Sequence, residues 1–165
     1  MAERRVEFVA GLGFSFSSDT SHNGSGDGGF AQAEYVFRPD SAVSPRLYAG
    51  ALVTFPQRDS CGTPSMCDVE SQIGFAGAKV RLMAPIPWVG PYLEIGFGAS
   101  VGRFRTLDGP TIDESASGVV LHIPWALGLA FGRHHEYDIA FSYLYHWEPK
   151  QTGAAFAFGF GFASP

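Results

Sequence analysis

The sequence is poor in charge. Asp, Glu, Lys and Arg make up only 16% of its 165 residues, well below the roughly one quarter of an ordinary soluble domain. Positive charge is sparser than negative: 11 Lys and Arg against 16 Asp and Glu give a net charge of -5. No Lys/Arg cluster exists to track phosphates, which argues against a nucleic-acid partner. No apolar run reaches the ~20 residues of a membrane-spanning helix. A membrane crossing by this chain therefore requires a closed barrel, since only helices and barrels satisfy their main chain in lipid. An export signal is missing too: Arg4, Arg5 and Glu7 interrupt the first segment, and no apolar stretch of ~7–15 residues with a cleavage site follows. There are two cysteines, and no motif for a cofactor. What is plentiful is Gly, at 21 residues, and aromatics, at 15%. That mixture suits a chain whose outer surface is not in water.

The last segment carries the pattern most openly. Residues 153–162 read Gly-Ala-Ala-Phe-Ala-Phe-Gly-Phe-Gly-Phe, with Phe156, Phe158, Phe160 and Phe162 on every second position. In an extended strand these side chains share one face, and only Ala and Gly occupy the other. Seven earlier segments repeat this large-against-small code, over 5–16, 30–38, 46–55, 72–83, 92–103, 118–131 and 137–148. Long polar linkers at 17–29, 57–71 and 106–117 alternate with short or Pro-rich ones at 39–45, 84–91 and 132–136. An up-and-down barrel places these two sets on opposite rims. A soluble eight-stranded barrel is apolar inside and polar outside. Here the charges and Gly gather opposite the large apolar face, which is the inverse. The expected fold is therefore all-β, an eight-stranded antiparallel up-and-down transmembrane β-barrel, with 1–165 as its single domain. Trp88, Tyr92 and Tyr137 then fall near one membrane interface, and Tyr145 and Trp147 near the other, as aromatic girdles.

In this pattern the chain resembles the small outer-membrane β-barrels of Gram-negative bacteria, the OmpA- and OmpW-like barrels. Its closing aromatic strand resembles the C-terminal assembly signal of that class, with the departure that Ala163, Ser164 and Pro165 follow Phe162. The resemblance implies a bacterial outer-membrane location for a mature chain whose leader has been removed. It also implies the lipid bilayer and lipopolysaccharide as surroundings, and a monomer.

The inward faces suggest two sets of candidate residues. Glu7, Glu34 and Glu94 with Arg38, Lys79 and Arg81 form a lumen charge network, since buried charges persist only when paired. A salt-bridged plug and a selectivity ring are the two readings, and eight strands leave room for side chains rather than an aqueous channel. The second set is His146, His122, Ser100 and Glu148. A hairpin centred on 132–136 sets His146 directly opposite His122, and the same reasoning on the preceding pair places Ser100 beside His122. A Ser with His as base could support nucleophilic catalysis, whereas two His are too few ligands to specify a metal. The alternative is that these His simply hydrogen-bond within a polar lumen. Residues 141–149, Phe-Ser-Tyr-Leu-Tyr-His-Trp-Glu-Pro, are also similar to the active-site strand of the lipid A deacylase barrels, which carry a His, a Ser two residues on and then an Asn. His146 matches, but Glu148 and Pro149 stand at the Ser and Asn positions. The family's nucleophile is missing, and its esterase activity is not carried over.

Cys61 and Cys67 bracket Gly-Thr-Pro-Ser-Met, which reads as a small loop disulfide in an exported protein. The bare Gly/Ala face of the last segment, beside the inward face of the seventh, marks the place to expect a pocket. The expected role is structural or interactive, with the long loops presented to a protein partner. A lipid-modifying hydrolase using the His pair is the second reading, and a narrow solute conduit the third.

Overall fold

A computed structural model describes residues 4–17, 25–56, 67–108, 111–147 and 151–164. Eight strands are present: β1 (Arg4–Ser17), β2 (Ser25–Val36), β3 (Val43–Pro56), β4 (Cys67–Met83), β5 (Val89–Asp108), β6 (Thr111–Phe131), β7 (Tyr137–His146) and β8 (Gln151–Ser164). Each pairs antiparallel with the next, and β8 closes on β1. The eight-stranded up-and-down barrel expected from the alternation is the fold observed.

The register fixes the barrel's shape. Glu7 leads by direct pairing through Glu34, Tyr48, Gly77, Gly98 and His122 to His146. The adjacent pairs Tyr145↔Thr152 and Thr152↔Phe16 carry that line back to β1 at Ser17, ten residues beyond its start. Such a stagger over eight strands gives a tilt of about 40° and an interior only wide enough for side chains. The ladder between β5 and β6 skips two positions beside Pro124, between Ile95↔Trp125 and Gly98↔His122, because proline has no N–H to donate.

The alternation places large apolar side chains outside. Leu12, Leu47, Phe55, Ile95, Phe97, Leu121, Leu127 and Phe158 are all exposed, on strands distributed around the wall. A continuous apolar exterior of this extent is incompatible with water and matches the lipid-facing band of a transmembrane barrel. Trp88 and Tyr137 are exposed toward one rim, Tyr145 and Trp147 toward the other. Tyr92 departs from the expected girdle. It shares the parity of Glu94 and is buried in the lumen, with Arg81 3.8 Å above its ring.

The two rims differ. One carries the short connections 37–42, 84–88 and 132–136, tied by main-chain bonds from Gly132 to Trp88 and from Gly161 to Glu136. Gly132 has a φ of 107°, a conformation that favours glycine. Nearby, the Glu136 carboxylate accepts the His134 N–H at 3.0 Å. The bond from its own main-chain N–H, and then that from His134, hold its pKa below the ordinary carboxylate value. The opposite rim is uneven. β5 and β6 have 20 and 21 residues and β7 has 10, so the β4–β6 side projects beyond the β7–β8 side.

The small face of β8 is not a vacant wall. A Cβ at Gly153 would lie 2.7 Å from the Leu52 side chain, one at Gly159 2.6 Å from Asp138, and one at Gly161 2.6 Å from Arg5. These positions are small because side chains from other strands fill the space beside them. A lumenal cavity among the described residues lies beside the inward face of β7, against Ser142 and Leu144 and against Pro124 and Ala126 of β6, with Lys79 and Glu94 across from them.

Candidate functional site

The lumen is divided into two layers. Toward the short-turn rim lies an ionic layer. Arg46 of β3 is its hub, bonding Glu7 and Glu34, the latter at 2.9 Å. Lys79 donates to Glu34 Oε1 and Glu94 Oε2, each at 2.6 Å. Arg81 donates through Nε to Glu94 at 2.5 Å and through Nη2 to Asp138 at 3.3 Å. Arg5 donates to the His135 carbonyl at 3.2 Å and lies 3.8 Å from Glu7. Among the described residues the acids Glu7, Glu34, Glu94 and Asp138 thus meet the bases Arg5, Arg46, Lys79 and Arg81, all buried. Equal numbers of each sign make the layer neutral overall, which is what permits eight charges in a narrow interior.

Toward the long-loop rim the described lumen residues include no Asp, Glu, Lys or Arg. Tyr48 Oη lies 2.7 Å from His122 Nε2, Ser100 Oγ 2.9 Å from His122 Nδ1, and Ser100 Oγ 2.9 Å from His146 Nε2. With both rings neutral the three contacts run in either direction; with Tyr48 donating to His122, His122 to Ser100 and Ser100 to His146, the His146 proton lies on its buried Nδ1, which has no hydrogen-bond partner among the described residues. The reverse direction leaves the Tyr48 hydroxyl without an acceptor among the described residues. Gly98 makes the arrangement possible, since a Cβ there would sit 2.2 Å from Tyr48 Oη and 2.7 Å from His122 Nε2. Phe75 meets His122 edge-on at 6.1 Å, and Phe104 meets His146 at 5.0 Å. Leu52, Ile73, Val120 and Leu144 complete an apolar packing around the network. Above it, Ser15 and Thr54 share a hydrogen bond of 2.7 Å, and Ser71 donates to Gln151 Oε1 at 3.1 Å.

Solved structures share this architecture. No family model matches the chain, and no curated protein does. Neisserial surface protein A, NspA, matches at 13% identity with a TM-score of 0.66, covering 98% of this chain and 97% of that one. Ail, the attachment invasion locus protein of Yersinia pestis, matches at 17% identity and TM-score 0.52, covering 98% and 100%. The N-terminal β-barrel domain of Pseudomonas aeruginosa OprF matches at 13% and 0.54, covering 96% and 97%. The fold is that of the small outer-membrane β-barrels. At these identities the likeness concerns the fold alone.

Within such a barrel, the sequence candidates have distinct positions. His122 and His146 are directly paired. Ser100 pairs with Val120, and Gly98 takes the place opposite His122, so Ser100 reaches the imidazoles diagonally rather than from the facing position. Glu148 lies outside the described residues. Glu7, Glu34, Lys79, Arg81 and Glu94 all join the ionic layer, but Arg38 does not. β2 ends at Val36, and Arg38 is exposed in the turn that follows. Inward parity has no meaning once the strand has stopped. Arg46 takes the expected cation's place. Cys67 opens β4, Cys61 lies outside the described residues, and no disulfide is present among the described residues.

Arg46, Asp138, Arg5 and Tyr48 are the lumen residues that sequence reasoning missed. Arg46, Asp138 and Arg5 carried a signal, since all three share the inward parity of their strands. Tyr48 carried none as a histidine partner, because β3 and β6 are not neighbours and meet only across the lumen. Ser100, with no exposed surface, and His122 and His146, with 1% each, are closed off from both water and lipid. A Ser Oγ at hydrogen-bond distance from a His nitrogen has nucleophile geometry. Attack also requires an open approach for the substrate carbonyl, and the apolar packing around Ser100 occupies that space.

Proposed function

We propose that the chain is a sealed structural barrel of a bacterial outer membrane, acting as one unit over 1–165, that presents its long-loop rim to a partner outside the cell. The observation that carries this reading is the fully buried Ser100–His122–His146 network stacked on an ionic layer of four acids and four bases. Together they support a lumen that is neither a conduit nor a catalytic cleft. The apolar belt supports the phospholipid and lipopolysaccharide bilayer as the barrel's surroundings, and the short-turn rim is then periplasmic. Solvent-facing function falls to the projecting β4–β6 side of the long-loop rim, which supplies contact surface for a protein partner to a monomeric barrel.

The decisive experiment reconstitutes the folded protein in lipopolysaccharide-containing bilayers. No acyl chains are released, and planar-bilayer recordings at neutral pH show no discrete channel openings. Acyl release that is lost in Ser100→Ala would establish a hydrolase instead. Orientation is checked on intact cells, where an epitope inserted within 57–66 is stained by antibody and one within 84–88 is not.

A further inference from the structure

All the ionised residues described in the lumen lie in its inner layer, while among the described residues the outer layer holds two imidazoles and no carboxylate. The rings of His122 and His146 are 5.6 Å apart and share the single Ser100 hydroxyl. The groups facing them are Tyr48 from β3, Ser100 from β5 and the Gln151 main chain from β8. From β4 Lys79 stands 5.6 Å from the Tyr48 ring centre. From β2 Glu34 bonds Arg46 and Lys79. Among the described residues no carboxylate bonds either imidazole.

Run from Tyr48 to His146, this chain of hydrogen bonds is broken by one extra proton. A proton on His146 Nε2 removes the acceptor of the Ser100 O–H. Ser100 must then donate to His122 Nδ1, whose own proton moves to Nε2 and points at Tyr48. Tyr48 is left with a buried O–H and no acceptor. A second proton sets two cations against one hydroxyl oxygen. Unpartnered buried charges draw in water or open the structure around them.

We infer that the Ser100–His122–His146 relay is an acid-sensitive latch: neutral, it ties β3, β5, β6 and β7 across the outer lumen, and protonated, it releases that layer to water. The ionic layer beneath is held by its own pairs and stays closed.

The test is amide hydrogen exchange on the folded protein in phosphatidylcholine nanodiscs at about pH 7.5 and about pH 4, corrected for the intrinsic pH dependence of exchange. Amides of 98–102, 118–122 and 144–146 lose at least ~tenfold protection at the lower pH, and those of 5–7 and 92–94 keep theirs. In the His122→Gln, His146→Gln double variant, which cannot take up these protons, the pH effect on the outer layer disappears. Equal protection at both pH values, or the same loss in the double variant, overturns the latch. Should that variant not fold, imidazole nitrogen shifts of the unmodified protein decide. The latch requires a ring to take up a proton as outer-layer protection is lost. Rings that charge while protection persists, or amides that open while the rings stay neutral, overturn it.

Discussion

At the level of single residues, parity alone does not decide which charges are buried. Arg38 and Arg46 both sit at positions that alternation assigns to the inside, yet one is exposed and the other is the hub of the ionic layer. The difference is where the strand ends. Arg46→Ala leaves Glu7 and Glu34 short of their cation and is expected to destabilise the folded barrel by about 3–5 kcal/mol, because removing one partner leaves buried charge uncompensated. Arg38→Ala is expected to stay within about 0.5 kcal/mol, as for an ordinary surface change. Urea unfolding from lipid vesicles compares them, and equal effects contradict the assignment. Glu136 gives a pH-dependent counterpart outside the membrane. Its folded pKa is depressed, so its contribution is present above the ordinary carboxylate pKa and is lost as pH falls through the folded value. Glu136→Gln should therefore lower stability at neutral pH and make no difference in strong acid, as read from unfolding midpoints across pH.

At the level of the strand, two faces of β8 make opposite demands. Phe158 is 47% exposed and Ala157 1%, one residue apart. Phe158→Arg puts a charge on the lipid face and should cost about 2–4 kcal/mol near mid-depth. Ala157→Leu adds bulk to a filled interior and should cost about 1–3 kcal/mol. Unfolding from lipid vesicles measures both, and a neutral Phe158→Arg contradicts the lipid contact. This two-faced code is why the eight strands and their order were legible in the sequence: a period of two survives without any knowledge of partners. The His122–His146 pair was legible for a related reason, since a short turn fixes the register of its own hairpin. The reach of Tyr48 to His122 was not, because it crosses the lumen between strands that do not pair. Nor was the filling of the bare face of β8. Gly and Ala mark a space, but Leu52, Asp138 and Arg5, which fill it, come from other strands or, for Arg5, from the far end of the chain.

At the level of the whole molecule, the narrow stagger, the neutral ionic layer and the uncharged layer above it form one argument. An eight-stranded barrel with this register has room for side chains only, and the chain fills that room with pairs that cancel and with rings that seal. The apolar exterior faces lipid, and the lumen faces nothing. The most direct measurement of that claim is paramagnetic broadening of methyl signals in phospholipid nanodiscs, comparing a lipid-tail spin label with a water-soluble relaxation agent. A sealed barrel in lipid has Leu12, Leu47 and Leu127 broadened by the lipid label alone, and the buried Leu52 and Leu144 broadened by neither. Broadening of Leu52 and Leu144 by the water-soluble agent at neutral pH, or of Leu12 and Leu127 by it, would contradict the sealed, lipid-embedded barrel.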